Sequence, residues 1–270
     1  MKRINTLEEI QNIELDMLSF IDRICADNGL RYFLAGGTLL GAVRHNGFIP
    51  WDNDVDISMP REDYLKFIEI VETQRDDYYG VMHVKDTNDY IYPYAKVVDT
   101  RTIVEEDDVF YSVSNLGVYI DVFPIDGYPD DLLKAENLLR YVFRRAGVVS
   151  RSNVSLINVP YPKKIFKMII KQYYKIVGRE KSLTRLENLV RKYNFDYSKM
   201  VASTYGLRNE KELIDQDCFS TSIDLVFEGH KFKCPIGYDK YLTNMYGDYM
   251  TLPPVEKQYA PHDIKAYWKD

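Results

Sequence analysis

Several features that would place a protein in a special class are missing from this sequence. It has three cysteines, Cys25, Cys218 and Cys234, which are widely spaced and form no CxxC pair. This arrangement argues against a disulfide framework or a zinc knuckle and fits a reducing compartment. No apolar run reaches the length of about 18 residues that a membrane-spanning helix needs, and the start, MKRINTLEEIQNIELD, lacks the apolar segment of a signal peptide. We therefore expect a cytoplasmic protein, either soluble or peripheral on the inner face of the membrane.

An excess of positive charge is also missing. The formal net charge of the 270-residue chain is −6, which makes it a poor electrostatic partner for nucleic acid. The composition is 46% hydrophobic, with 23 tyrosines and 12 phenylalanines, which argues against disorder. The chain can therefore bury a substantial core, and no nucleic-acid partner is expected.

Hydrophobic periodicity predicts two regions. Thr6-x-x-Glu9 is a capping-box pattern, and apolar residues then recur at helical spacing up to Gly29. Up to residue 128 the pattern is rich in strands with interposed helices, which predicts an α+β nucleotide-binding core. From residue 129 it becomes mainly helical, with predicted helices at 132–149, 163–177 and 179–193 and a β-hairpin at 224–227 and 231–234. A last helix is predicted to end at Gly247, and this second region is expected to pack on the core.

Three carboxylates, Asp52, Asp54 and Asp56, stand at alternate positions, and Trp51, Val55 and Ile57 beside them are apolar. If residues 52–58 form a strand, all three side chains point to the same face. Like charges crowded in this way need a cation among them, and a hard divalent ion prefers carboxylate oxygen. The alternative to a metal site is a solvent-exposed edge strand with surface acids, which the apolar flanking residues disfavour. The pattern therefore predicts a metal site.

Gly36-Gly37-Thr38 precedes a short predicted helix and could offer backbone N–H groups to a phosphate. A glycine pair alone usually marks only a tight turn. Its meaning comes from the acids downstream, because nucleotidyltransferases combine such a turn with a Mg²⁺-binding Asp-x-Asp strand and a third carboxylate from a neighbouring strand. Asp121, a lone acid among the apolar residues 118–123, fits that third position. Asp126 is the weaker candidate, since Gly127 indicates a turn.

The segment AGGTLLGAVRHNGFIPWDNDVDISM, residues 35–59, closely resembles the signature of the LicD family, to which fukutin-related protein is distantly related. Further similar stretches are YAKV at 94–97, IDVFP at 120–124 and YGDYMTLPP at 246–254. The resemblance is dense over residues 30–126, thin over 130–215, and present again at 225–256. It implies a nucleotidyltransferase-like core with a mixed β-sheet and flanking helices. It also implies a Mg²⁺-dependent transferase, with Mn²⁺ as an alternative ion. The zinc-binding insertion of the fukutin-related relative is not expected here.

Within this resemblance, Asp54, Asp56 and Asp121 are the expected catalytic and metal-binding residues, and Asp52 is an additional ligand or supports the ligands. Gly36, Gly37 and Thr38 would cradle the donor phosphates, and Arg44 and Lys96 would neutralise them. Arg101 could act similarly or pair with Asp99, and His45 and Trp51 have structural or site roles that the sequence does not separate. The implied substrates are a nucleotide-diphosphate donor such as CDP-choline and a glycan or lipid-linked glycan acceptor.

Residues 162–193 carry ten lysines and arginines, with an apolar stripe on the first of the two helices. Such a basic amphipathic helix can lie on an anionic membrane surface. It can equally pack on the core with a lysine-rich outer face.

The expected reaction is the Mg²⁺-dependent transfer of a phospho-alcohol, such as phosphocholine, from the donor to a hydroxyl of a cell-surface glycan precursor such as a teichoic acid. Asp121 could also accept the proton of that hydroxyl. Two alternatives stay open: a nucleotidyltransferase that attaches NMP to a small acceptor, and a non-catalytic module that binds glycan or membrane.

Overall fold

A mixed sheet of seven strands forms the centre of the fold. The structure is a computed structural model that describes residues 1–74, 76–84, 90, 92–106, 113–150, 161–206, 209–259 and 264–269. The strands of the sheet are β2 (Phe33–Leu34), β3 (Asp56–Pro60), β4 (Tyr79–Met82), β5 (Ala95–Asp99), β7 (Tyr119–Tyr128), β8 (Met200–Ser203) and β9 (Ile214–Asp215). Their order is β2-β3-β7-β5-β4, and β8 pairs with the C-terminal part of β7 and with β9. Only the β3–β7 pairing is parallel among these described pairs.

Two smaller sheets accompany it. β12 (Ile264–Trp268) lies between β1 (Lys2–Ile4) and β6 (Thr102–Glu106), and all three run antiparallel to their neighbours. β10 (Ser222–Phe227) and β11 (His230–Pro235) form a hairpin. The hairpin predicted from the sequence is thus confirmed, with slightly longer strands.

Seven α-helices are described. They are α1 (Leu7–Asn28), α2 (Gly36–His45), α3 (Arg61–Gln74), α4 (Leu132–Ser150), α5 (Tyr161–Val177), α6 (Arg179–Val190) and α7 (Tyr238–Tyr246). Short 3₁₀ helices are described at Asn209–Glu212, Gln216–Phe219 and Val255–Lys257. None of the helices in the described ranges is both long and apolar enough to cross a membrane.

Local chemistry explains where α1 begins and ends. The Thr6 hydroxyl accepts a hydrogen bond from the Glu9 N–H at 3.1 Å, as the capping-box pattern predicts. Gly29 has a φ of +63° and ends the helix in the left-handed conformation that glycine adopts most easily. Between these ends, the apolar residues of α1 join the main hydrophobic core, which the central sheet shares with α2, α3 and α7.

A second apolar cluster lies beside the central sheet. It joins buried residues of α4 and α6 to residues of β7 and β8, including Leu139, Leu186 and Tyr128. β7, which lies before the predicted boundary at residue 128, pairs with β8, which lies after it. The predicted division into 1–128 and 129–270 stays a prediction. The sequence pattern predicts all seven described helices, including one at 63–72 that corresponds to α3. The bounds differ in that α6 ends at Val190 instead of residue 193 and α2 begins at Gly36 instead of residue 38. In the sequence, Pro160 stands between the first two helices predicted in the second region, and it lies outside the described residues.

Two strand predictions near the acids are wrong. β3 begins only at Asp56, so Asp52 and Asp54 lie before the strand instead of on it. β7 continues to Tyr128, so Asp126 is in a strand and not in a turn. Gly127 is required there by a close approach, because a Cβ on it would lie 2.6 Å from the Tyr193 carbonyl oxygen.

Candidate active site

The start of β3 is held against the first turn of α2. The Asp56 N–H donates to the Thr38 hydroxyl at 2.8 Å, and the Asp56 carbonyl accepts from the Ala35 N–H at 3.0 Å. Ala35 is the N-cap of α2 and offers no side-chain acceptor to the helix N-terminus. Thr38 is buried, so its hydroxyl fixes the strand while the backbone of this turn faces the acids. Hydrogen bonds therefore hold the N-terminus of α2 and the start of β3 together.

The two glycines allow carboxylates to approach this helix end. A Cβ on Gly37 would lie 2.7 Å from Asp52 Oδ2, and a Cβ on Gly36 would lie 2.9 Å from Asp56 Oδ2. Gly36 also has a φ of +51°, which favours glycine. A larger residue at either position would displace a carboxylate, which is a stronger reason for the glycine pair than a tight turn alone.

Asp121 reaches the same place from the neighbouring strand. In the parallel pairing of β3 with β7, Asp56 is opposite Asp121, and the Asp121 N–H donates to the Val55 carbonyl at 3.0 Å. The predicted position of a third carboxylate on an adjacent strand is thus what the register shows. Asp52 and Asp54 precede the strand and also belong to this group of acids. The buried Asn53 and Val55, which alternate with them, anchor this segment.

Three of these acids, Asp52, Asp54 and Asp56, line a cleft of about 260 Å³ together with Gly36 and Gly37. Asp121 is not among the lining residues. The C-terminal half of the chain also contributes to the lining. Its residues there are Ser203, Gly206, Glu212, Tyr241, Met245 and Tyr246. Sequence reasoning did not assign these residues, because nothing in their spacing marks them as neighbours of the acids.

Crowding disfavours the charged forms of the carboxylates. Burial, and then repulsion from Asp54, raises the pKa of Asp52 to about 8. Burial raises the pKa of Asp56 well above its usual range, and Asp54, Asp121 and Asp52 add to this effect. Burial also raises the pKa of Asp121, against the opposing influence of Lys96. A cation among these carboxylates would therefore favour their charged forms.

Glu14 on α1 belongs to this acidic group and was missed from the sequence. Its carboxyl is buried, and Oε2 has no hydrogen-bond partner among the described residues. Burial raises its pKa well above the usual range, and the nearby Asp54, Asp52 and Asp56 raise it further. The available signal was a glutamate on the buried stripe of α1, one position after Ile13 and three before Met17.

The predicted donor-binding cations lie elsewhere. Lys96 is 1% exposed, and its ammonium donates to Asp121 Oδ1 at 2.5 Å, with the Tyr119 ring centroid 3.4 Å away. Tyr94 donates its hydroxyl to the other oxygen, Asp121 Oδ2, at 3.3 Å. Lys96 thus supports Asp121 from behind and is not among the residues that line the cleft.

Arg44 connects α2 to the segment after α7. Its Nη1 donates to the Tyr249 carbonyl at 2.8 Å and its Nε donates to His45 Nε2 at 3.0 Å. It does not line the cleft either. His45 in turn lies edge-on to Trp51. His45 therefore contacts both Arg44 and Trp51.

Two further ion pairs decide questions that the sequence left open. Arg101 donates to both oxygens of the buried Asp99, so its pairing with Asp99 is confirmed. Arg61 donates to both oxygens of Asp126, at 2.8 and 2.6 Å, and both side chains are buried. Asp126 is therefore committed to a structural pair and does not belong to the acidic cleft.

A divalent cation suits this acidic group by charge and by ligand chemistry. Asp52, Asp54, Asp56 and Asp121 supply hard oxygen ligands, and the unpartnered oxygen of Glu14 lies in the same field. Within the described part of the chain, no three acidic, histidine or cysteine side chains already have the spacing of a metal cage. The residues thus fit the ion through their excess negative charge, not through a preformed cage.

Comparison with known proteins adds independent information. Residues 29–150 match the family model described as "LicD/FKTN/FKRP, nucleotidyltransferase domain". The chain is 30% identical over 279 aligned residues to lipopolysaccharide cholinephosphotransferase LicD of Haemophilus influenzae, and the alignment covers 99% of each chain. It is 60% identical over 35 residues to ribitol 5-phosphate transferase FKRP of Homo sapiens, covering 13% of this chain and 7% of that protein. It is also 32% identical over 111 residues to an uncharacterised protein of Rickettsia typhi, covering 41% of this chain and 32% of that protein.

Proposed function

This chain belongs to the LicD family, and from that premise we propose that it transfers a phospho-alcohol from a nucleotide-diphosphate donor to a hydroxyl of a glycan precursor. The observation that supports this most directly is the register that sets Asp56 opposite Asp121 beside the N-terminus of α2. A helix N-terminus can bind a phosphate, and carboxylates beside it can bind a divalent cation. Such an arrangement is what a nucleotidyltransferase-like core would use.

The donor is proposed to be a CDP-alcohol, with phosphocholine as the transferred group, because a cholinephosphotransferase aligns with the whole chain. The donor phosphates would lie at Gly36 and Gly37, where the backbone is accessible and the helix dipole favours negative charge. An acceptor that is a lipid-linked glycan, such as a teichoic acid or lipopolysaccharide precursor, would bring the reaction to a membrane surface.

Asp54, Asp56 and Asp121 would hold Mg²⁺, with Mn²⁺ as the alternative, and Asp52 would contribute directly or through Asp54. When bound, the ion would withdraw charge from the phosphate oxygens. In the reaction, the acceptor oxygen forms a bond to the phosphorus that carries the alcohol, and the bond from that phosphorus to the bridging oxygen breaks. CMP leaves, and the proton of the acceptor hydroxyl passes to Asp121.

Lys96 and Tyr94 orient Asp121 in this proposal. Each donates to one of its oxygens, which fixes the carboxylate at the edge of the acidic group. Thr38 fixes the backbone of Asp56. Arg44 and Lys96 were expected to contact the donor directly, and their contacts support positioning roles instead: Arg44 at the C-terminal end of α2 and Lys96 behind Asp121.

The test is a screen of CDP-alcohols and other NDP-alcohols with Mg²⁺ for release of NMP. We expect Asp54→Asn and Asp56→Asn to lose at least about 100-fold in turnover while the fold is retained. Asp130→Asn is the matched control, because it makes the same chemical change at an exposed position. Near-normal turnover of Asp56→Asn at saturating Mg²⁺ would remove the proposed site.

Product analysis separates the alternatives. A nucleotidyltransferase supplied with an NTP would release pyrophosphate and leave NMP on the acceptor. The proposed reaction instead uses an NDP-alcohol, releases NMP and leaves the phospho-alcohol on the acceptor. A protein that binds CDP-alcohol or glycan without any release of either product would be a binding module. If Asp121→Asn regains activity at high Mg²⁺, Asp121 binds the ion and does not act as the base.

A further inference from the structure

The helix α5 exposes a broad apolar face. Seven large apolar side chains on it are between 45% and 78% exposed. They are Tyr161, Ile165, Phe166, Met168, Ile169, Tyr173 and Ile176. At 100° per residue they fall within one half of the helix circumference. Exposed apolar surface of this extent is unusual for a soluble domain and indicates an interaction site.

This face is not the one that attaches α5 to the protein. Tyr174 is buried and Ile170 is partly buried, and both join the cluster formed with α4 and α6. They lie on the other side of the helix from Ile165 and Ile169. The neighbouring helix α6 buries Leu183, Leu186 and Val190. In the segment 162–193, α6 therefore packs on the core, as one of the two interpretations of the sequence predicted. The helix α5 packs on the core with one side and leaves a second, apolar face exposed.

Basic side chains border the exposed face. The helix Tyr161–Val177 contains five lysines and no acidic residue. Lys164, Lys171 and Lys175 are exposed and follow Met168 around the helix, along one edge of the apolar face. This local positive charge contrasts with the net charge of −6 for the whole chain. The pattern combines apolar surface with cations that have no acids on the same helix.

We propose that α5 lies in the headgroup plane of an anionic lipid bilayer, with its apolar face toward the acyl chains and its lysines at the lipid phosphates. Charge complementarity selects this occupant. A second copy of the chain would bring the same lysines to the contact and no acidic residue of α5 to pair with them. An amphipathic helix of this kind inserts shallowly, since its polar side stays in water. The proposal does not depend on the transferase reaction.

The test is co-sedimentation of the protein with vesicles of phosphatidylglycerol and phosphatidylcholine at low and high salt. The wild type should sediment at low salt and be partly released at high salt, because screening weakens lysine–phosphate attraction. Lys164→Gln/Lys171→Gln/Lys175→Gln should weaken partitioning roughly 100-fold, at about fivefold for each lysine. Ile169→Asn/Ile176→Asn should weaken it by a similar factor or more, through lost apolar burial.

Matched controls keep the result specific. Lys66→Gln/Lys199→Gln/Lys231→Gln removes the same charge from exposed positions on other elements and should sediment like the wild type. All substituted side chains are exposed, so circular dichroism and the release of NMP from the donor in the presence of a soluble acceptor should match the wild type. Retained NMP release would also separate failure of this proposal from failure of the proposed function.

Three results would overturn the proposal. The wild type could stay in the supernatant at low salt. It could bind pure phosphatidylcholine vesicles equally well, with no effect of the lysine substitutions. It could also be a dimer by light scattering that Ile169→Asn/Ile176→Asn converts to a monomer, which would make this face an interface between copies.

Discussion

Replacing Lys96 with methionine separates two roles for this buried cation. If Lys96 supports Asp121, as its 2.5 Å contact with Oδ1 indicates, its loss leaves a carboxylate buried among other carboxylates without its ammonium partner. Removing one member of a buried pair typically costs about 3–5 kcal/mol. Methionine keeps most of the side-chain volume against Tyr92 and Tyr119, so lost packing adds little. We therefore expect the free energy of unfolding of metal-free Lys96→Met to fall by about 3–5 kcal/mol.

Urea denaturation with a chelator, and again with excess Mg²⁺, measures this loss. Mg²⁺ should restore part of the stability, because a bound ion supplies the missing positive charge beside Asp121. Lys96→Met/Asp121→Asn should recover most of the loss while staying inactive, since it removes the unpaired charge and also a proposed ligand. Lys66→Met on the exposed side of α3 is the control and should change stability by less than about 0.5 kcal/mol.

A different result would refute this reasoning. Lys96→Met could be as stable as the wild type in chelator and show a raised KM for the donor with unchanged kcat. Lys96 would then contact the donor phosphates, as first expected from the sequence, and its pairing with Asp121 would not persist in the working enzyme.

Three other predictions concern the acidic cleft and the buried Arg61–Asp126 pair. The pKa of Asp52 is raised from 3.8 to about 8, so between these values the folded chain binds more protons than the unfolded chain. The free energy of unfolding of the metal-free protein should therefore fall as pH rises from about 4 to about 8. Urea titrations in chelator that show constant stability over that range would contradict this. Gly37→Ala should lower turnover at least about tenfold by displacing the Asp52 carboxylate, while Gly80→Ala, which meets only ordinary contacts, should leave NMP release unchanged. Arg61→Met should destabilise the fold by about 3–5 kcal/mol, whereas Arg61→Met/Asp126→Leu should recover most of that loss; equal stability of the two variants in urea denaturation would show that the buried pair is not coupled.

Local signals predicted the elements of this fold well. The capping pattern at Thr6, the glycine that ends α1 and the alternation on each side of Glu228-Gly229 act over a few residues, so the sequence displays them directly. The parallel pairing of β3 with β7 is different, because it joins residues 56 and 121. The sequence predicted only that Asp121 comes from a neighbouring strand, from the nucleotidyltransferase pattern and because a lone acid in an apolar strand is costly if left unpaired.

The partners of individual charges could not be predicted in the same way. Asp126 precedes a glycine, which usually signals a turn, but that glycine serves a close approach to Tyr193, and Asp126 pairs with Arg61. Lys96 was assigned to the donor because it lies in the stretch YAKV that resembles the LicD family, whereas in the structure β5 places it beside Asp121. Such choices depend on which chains meet in three dimensions. They are not visible in spacing along one segment.

The position of β12 has a consequence for how the chain acquires its structure. β12 pairs with β1 at one edge and with β6 at the other, and the register sets Ile264 opposite Glu106. During synthesis, β1 and β6 emerge long before the strand that joins them, so each has open backbone groups in the meantime. Closing a loop of that length also delays the pairing. Folding of this sheet should therefore finish late, and a nascent chain that stalls before β12 should be the species most exposed to aggregation and chaperone binding.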